Sequence, residues 1–144
     1  MTEATNVFLE RLVPAPPVTV FNAWLDPAAL SKFMCSCDGA FFTKKVTTDP
    51  RPGGKFLIVM RAGEQDLPHE GVYEVIEPHQ RLVFTWLSHI AGPGSRVTLT
   101  FAPHGDGATL LRLEHEGLPT DGARRSHHLG WSAILDTLVG RETP

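Results

Sequence analysis

The sequence has little of what marks a compartment, a metal or a membrane. Its only cysteines are Cys35 and Cys37. Two thiols cannot staple a small secreted scaffold, and Cys-x-Cys is not the Cys-x-x-Cys spacing of redox and zinc sites. No apolar run approaches the roughly 20 residues of a membrane-spanning helix. No apolar stretch follows the N-terminus as a secretion signal requires. The expectation is a cytoplasmic protein with reduced thiols. Charge of one sign is also scarce. Thirteen Lys and Arg against sixteen Asp and Glu give a net charge of −3, which makes no electrostatic case for nucleic acid or an anionic membrane surface. Gly53-Gly54 and Gly105-Asp106-Gly107 belong to hairpin turns. Neither opens a helix after a strand, so neither cradles a phosphate, and no motif calls for a cofactor. His127 and His128 are adjacent on a helix, about 100° apart, and cannot share one ion as an i,i+4 pair would. No metal is expected.

What is present is ordinary apolar content, 42% of 144 residues, enough for one domain with a real core. That domain is expected to span residues 1–144, with its core over 6–140 and residues 1–5 frayed. Seven histidines stand out. Near pH 6 many would be partly protonated, and the net charge could change sign.

The pattern along the chain is specific. Asn6–Val13 reads as a strand, stopped by Pro14, Pro16 and Pro17. Pro17 suits a first helical turn, with Val18, Phe21 and Leu25 at helical spacing. Asp26-Pro27 caps a second short helix through Leu30 to Phe33. From Phe41 the period becomes two. Strands are expected at Phe41–Thr48, Lys55–Arg61, His69–Glu77 and Arg81–Ser88, then around Val97, Leu99 and Phe101, and around Leu111, Leu113 and His115. Turns are expected at 49–54, 78–80, at Gly92-Pro93-Gly94 and at 104–107. The last stretch, 120–140, reads as one helix. Thr120 or Asp121 starts it, Gly140 ends it, and His128, Trp131, Leu135 and Leu138 form its stripe. Successive strands joined by short turns make an antiparallel meander whose apolar face needs a cover. Only the long helix can supply one.

The order of strand, two short helices, six strands and long helix resembles the α+β helix-grip, or START/Bet v 1-like, fold of the SRPBCC superfamily. In that fold a curved antiparallel sheet of about seven strands wraps a C-terminal helix. Narrower matches follow one another in order. They are Val20-Phe21-Asn22-Ala23-Trp24-Leu25-Asp26-Pro27-Ala28-Ala29-Leu30, then 49–56, His69-Glu70-Gly71-Val72-Tyr73, 81–86, and His115-Glu116-Gly117-Leu118-Pro119 with Gly130-Trp131. Together they resemble the activator-of-heat-shock-protein-90-ATPase-homologue-like family. Where many relatives have a tryptophan after the second helix, often at a cavity mouth, this chain has Lys32-Phe33-Met34. The resemblance implies several functions. Founding members stimulate a chaperone ATPase with the help of a separate N-terminal domain, which a 144-residue chain is expected to lack. Short relatives are small-molecule binding modules. The wider superfamily includes lipid carriers, polyketide cyclases and lyases.

The resemblance therefore implies an internal cavity. The inward strand parities and the helix stripe nominate its lining: Phe56, Ile58, Met60, Tyr73, Val75, Phe84, Trp86, Val97, Leu99, Leu111, Leu113, Trp131 and Leu135. Such a wall suits a small apolar or amphipathic ligand. His69, His115 and His127 are candidate polar anchors. In an alternative, cyclase- or lyase-type reading they act with Tyr73 as acid or base, and in that case they should converge on one void. No residue is singled out as catalytic. Glu114 and Glu116 flank His115 but point to the opposite face of the strand. A third reading, a co-chaperone-like interaction module, requires an exposed apolar patch on the outer sheet face. Both a monomer and an edge-paired homodimer fit the sequence.

Overall fold

A computed structural model describes residues 6–142, so the frayed stretch expected at 1–5 lies outside the described residues. The elements in chain order are β1 (Val7–Val13), α1 (Pro17–Ala23), α2 (Pro27–Phe33), β2 (Phe42–Thr48), β3 (Lys55–Ala62), β4 (Gln65–Glu77), β5 (Arg81–Ser88), β6 (Gly92–His104), β7 (Ala108–Glu116) and α3 (Asp121–Glu142). The strands form one sheet in the order β1-β7-β6-β5-β4-β3-β2, antiparallel throughout. It curls around the helices, as the helix-grip reading predicts.

Local chemistry explains the helix starts. Pro17 opens α1 behind an extended Pro16. Asp26 accepts the Ala28 N–H at 3.3 Å and caps α2. Thr120 Oγ1 accepts the Ala123 N–H at 3.0 Å and caps α3. Asp121 pairs with both Arg124 (3.1 Å) and Arg125 (3.2 Å). Its carboxylate sits at the positive end of the helix dipole and offsets two arginines that would otherwise oppose it. Gly140 does not end α3, which runs on to Glu142.

Two turns differ from expectation. The β5–β6 turn lies at residues 89–91, and Gly92-Pro93-Gly94 begins β6 instead. The β3–β4 connection is a tight hairpin closed by the Ala62–Gln65 pair, with Gly63 at φ 62°. β4 therefore starts earlier than alternation suggests and contains Pro68. The proline is tolerated because β4 pairs with β5 only from Glu70 onward, so Pro68 has a neighbour on the β3 side alone.

The helices grip the sheet from opposite ends. α3 lies along β1, where Arg11 donates to Asp136 and to Ser132, each at 2.8 Å. α2 lies against β2, where Thr43 Oγ1 donates to the Met34 carbonyl at 2.7 Å. Between them Leu82, Val97, Leu99, Leu111, Leu113 and Leu135 are fully buried. Each such side chain contributes roughly 1.5–3 kcal/mol by leaving water.

Candidate functional site

The inner wall starts with alternation. His69, Gly71 and Tyr73 of β4 face inward, opposite Phe56 and Ile58 of β3 and Phe84 and Trp86 of β5. Gly71 is required there. A Cβ would lie 2.0 Å from the Thr85 carbonyl oxygen and 2.7 Å from the Phe56 ring. The bare glycine lets Phe56 lie across the strand, 5.3 Å from both Tyr73 and Phe84. Trp86 continues the aromatic wall and meets Trp131 of α3 at 4.9 Å. Trp24, the residue following α1, closes it against Phe33 (5.0 Å) and Trp131 (6.2 Å).

A bulge corrects one assignment. The β4–β5 register shifts between Tyr73 and Val75, so that Ile76 pairs with inward Leu82 and Val75 pairs with Val83. Ile76, not Val75, packs on the core. Val75 belongs to the outer face because the extra residue of a bulge reverses parity beyond it.

The interior is nearly filled. The expected ligand cavity is reduced to a void of about 10 Å³, lined by Trp24, Leu30, Met34, Phe56, Ile58, Tyr73, Phe84 and Trp86. That is about the least space that seats one water. Five of these residues were nominated by the sequence. Val97, Leu99, Leu111, Leu113, Trp131 and Leu135 are packed core away from the void, and Met60 is buried without lining it. The void sits between α2 and strands β3–β5 rather than under α3. Trp24, Leu30 and Met34 were not legible as lining because they sit on α2 and at the C-caps of the two short helices, outside the alternating strands and the α3 stripe. Met34, the C-cap of α2, is one of the residues that line the void. A second, open cleft of about 210 Å³ lies at the surface, lined by side chains including Asp26, Lys32, Phe33, Leu138 and Arg141.

The polar candidates do not converge on the void. His115 is fully buried and fully bonded. Its Nδ1 accepts the Trp131 indole N–H at 3.0 Å. The proton must therefore sit on Nε2, which donates to Ser95 Oγ at 2.9 Å. Ser95 in turn donates to the Trp86 carbonyl at 2.7 Å. Burial, and then the neighbouring His127, push His115 down to about 3, so it stays neutral. His127 is 5.0 Å from His115, ring to ring, and its Nδ1–H donates to the Ala123 carbonyl at 2.8 Å. Burial lowers its pKa too. His69 stacks on the far side of Trp86 at 5.0 Å, and burial pushes it down to about 4. Only Tyr73 lines the void, and burial raises its phenol. Ser95 was missed because it follows a Gly-Pro-Gly read as a turn.

Among the described residues, three buried side-chain nitrogens have no hydrogen-bond partner: Trp24 Nε1, Trp86 Nε1 and His69 Nδ1. No group of three or more His, Cys, Asp or Glu among the described residues could hold a metal ion. Among the described residues, no helix is long and apolar enough to cross a membrane. Cys35 is half-buried, and burial, then Cys37 beside it, raises its pKa. The Cys37 thiol lies 3.2 Å from Thr137 Oγ1.

Comparison with known proteins agrees with this architecture. The model of the family described as "Activator of Hsp90 ATPase homolog 1-like protein" matches residues 14–141. Protein CV1439 from Chromobacterium violaceum is 32% identical, with a TM-score of 0.86 over 97% of this chain and 98% of that one. CalU16 from Micromonospora echinospora is 27% identical, with a TM-score of 0.73 over 96% and 76% of the two chains. The AHSA1-like protein from Aeromonas hydrophila is 22% identical, with a TM-score of 0.77 over 94% and 90%, and speaks for the fold alone. No curated protein sequence matches the chain.

Proposed function

Because the chain belongs to the activator of Hsp90 ATPase homolog 1-like family, we propose that it is a cytoplasmic small-molecule-binding protein whose interior takes an apolar or amphipathic ligand. The observation that carries this reading is the wall of the void. Eight side chains from α1 to β5 meet there, none of them charged, around space that they do not quite fill. Binding is favoured over acid–base catalysis because His115 and His127 already spend hydrogen bonds on neighbouring protein groups and Tyr73 stands apart from them. A co-chaperone-like role is disfavoured by the outer face. On β1 the exposed Phe8 and Leu12 are separated by Glu10, which pairs with Arg112.

Native mass spectrometry of freshly purified protein tests the reading. A stoichiometric small-molecule adduct, lost on organic extraction, is expected. A bare mass, together with no thermal shift from a panel of apolar probes, overturns it.

A further inference from the structure

The wall of the void carries information about what it can hold. Two of the three unpartnered buried nitrogens, Trp24 Nε1 and Trp86 Nε1, belong to side chains that line this one void. Both residues are almost wholly buried, at 2% and 3% exposed. A buried N–H without an acceptor is costly to a fold, and native proteins seldom leave one unpaired. Here two belong to side chains that line the same void. The third tryptophan, Trp131, gives its N–H to His115, so the chain does pair a buried indole where its own acceptors allow. The wall offers no cation to neutralise a carboxylate or phosphate, and burying an unpaired anion there would be prohibitive. It offers apolar area and two unspent donors.

The side of the void away from the sheet is built on a short helix. Leu30 and Met34 close it from α2 and its C-cap. α2 has seven residues, and its cap bond is long, at 3.3 Å. It rests on β2, an edge strand whose side chains are nowhere fully buried. Met34 is unbranched and repacks readily.

We propose that the ligand of this interior is an apolar molecule bearing a neutral hydrogen-bond acceptor, a carbonyl or ether oxygen, which enters by displacing Leu30 and Met34 and accepts from Trp24 Nε1 and Trp86 Nε1. The inference rests on the interior-binding reading and adds the ligand's chemical class and its two donors. Affinity is reduced by the fraction of molecules in which α2 has moved.

A matched set of probes tests it on the whole protein: acetophenone, its near-isostere α-methylstyrene without the acceptor, and benzoate. Binding is followed by the indole N–H signals of the three tryptophans in ¹⁵N-resolved NMR spectra. Acetophenone should bind about threefold to tenfold tighter than α-methylstyrene, the weight of a neutral hydrogen bond. It should move the Trp24 and Trp86 indole signals downfield and leave Trp131 nearly still. Trp24→Phe and Trp86→Phe should each narrow that preference. Equal binding of acetophenone and α-methylstyrene overturns the acceptor class but leaves interior binding standing. Tighter binding of benzoate overturns neutrality. Failure of all three probes to perturb the indoles overturns interior binding and this inference with it. The wild-type comparison decides the matter even if a tryptophan variant fails to fold.

Discussion

Ser95 shows how much one small residue can hold. It accepts from His115 Nε2 and donates to the Trp86 carbonyl, and His115 in turn accepts from Trp131. Together with Trp131, this hydroxyl fixes the imidazole tautomer and ties β5, β6, β7 and α3 together. Ser95→Ala leaves the Nε2–H buried without an acceptor and is expected to cost about 1–3 kcal/mol in urea unfolding. A variant as stable as the wild type would mean that the relay carries no weight. At this scale legibility was uneven. His115 was placed inward by plain alternation with Leu111 and Leu113. Its partner was not legible, because serine after Gly-Pro-Gly looks the same whether it turns the chain or begins a strand. The unpaired indoles of Trp24 and Trp86 were not legible either, since pairing is a property of three-dimensional neighbours.

At the scale of elements, alternation located every strand and predicted most inward faces, because a half-buried strand must repeat every two residues. It failed where the count slips. The β4 bulge turns Val75 outward and Ile76 inward, and nothing in Tyr73-Glu74-Val75-Ile76 signals the extra residue, since both candidates are apolar and branched. Side-chain truncation separates the two faces. Ile76→Ala is expected to cost at least ~1 kcal/mol more than Val75→Ala in denaturant unfolding, because it leaves a cavity against the core; the reverse order would return Val75 to the inside. On β6 the register is unambiguous, with Leu99 fully buried between Leu82 and Leu113. Leu99→Arg is expected to yield no soluble folded protein, judged by circular dichroism, because the charge has no partner inside the sheet. A folded, equally stable Leu99→Arg protein would contradict the observed pairing. The helices were legible from proline and cap residues, but the site was sought under α3. The void formed instead against α2, because packing density is decided by how side-chain volumes meet, and no spacing rule encodes it.

For the whole molecule, the three inner histidines make acid the critical variable. Burial holds His115 at about 3 and His69 at about 4, and it lowers His127 from its ordinary 6.5. In the unfolded chain each would take up a proton near pH 6.5. Between pH 6.5 and the folded values the unfolded state therefore binds more protons, so stability must fall as pH falls. It is complete above pH 6.5. Each of these histidines can contribute a slope of up to about 1.4 kcal/mol per pH unit inside that window. The window separates them from the surface carboxylates. Asp66 and Glu74 are held below their ordinary values, chiefly by hydrogen bonds from Lys44 and Arg96, so their contributions are lost only at lower pH. Thermal melts at pH 7.5, 6.0 and 5.0 should show the midpoint dropping steadily over a range in which those acids stay ionised. His69→Gln, which keeps a neutral polar group beside Trp86, should flatten the drop without moving the pH 7.5 midpoint far. A midpoint that holds level from pH 7.5 to 5.0 would mean that these imidazoles are protonated in the folded state, and the neutral relay through His115 could not then exist.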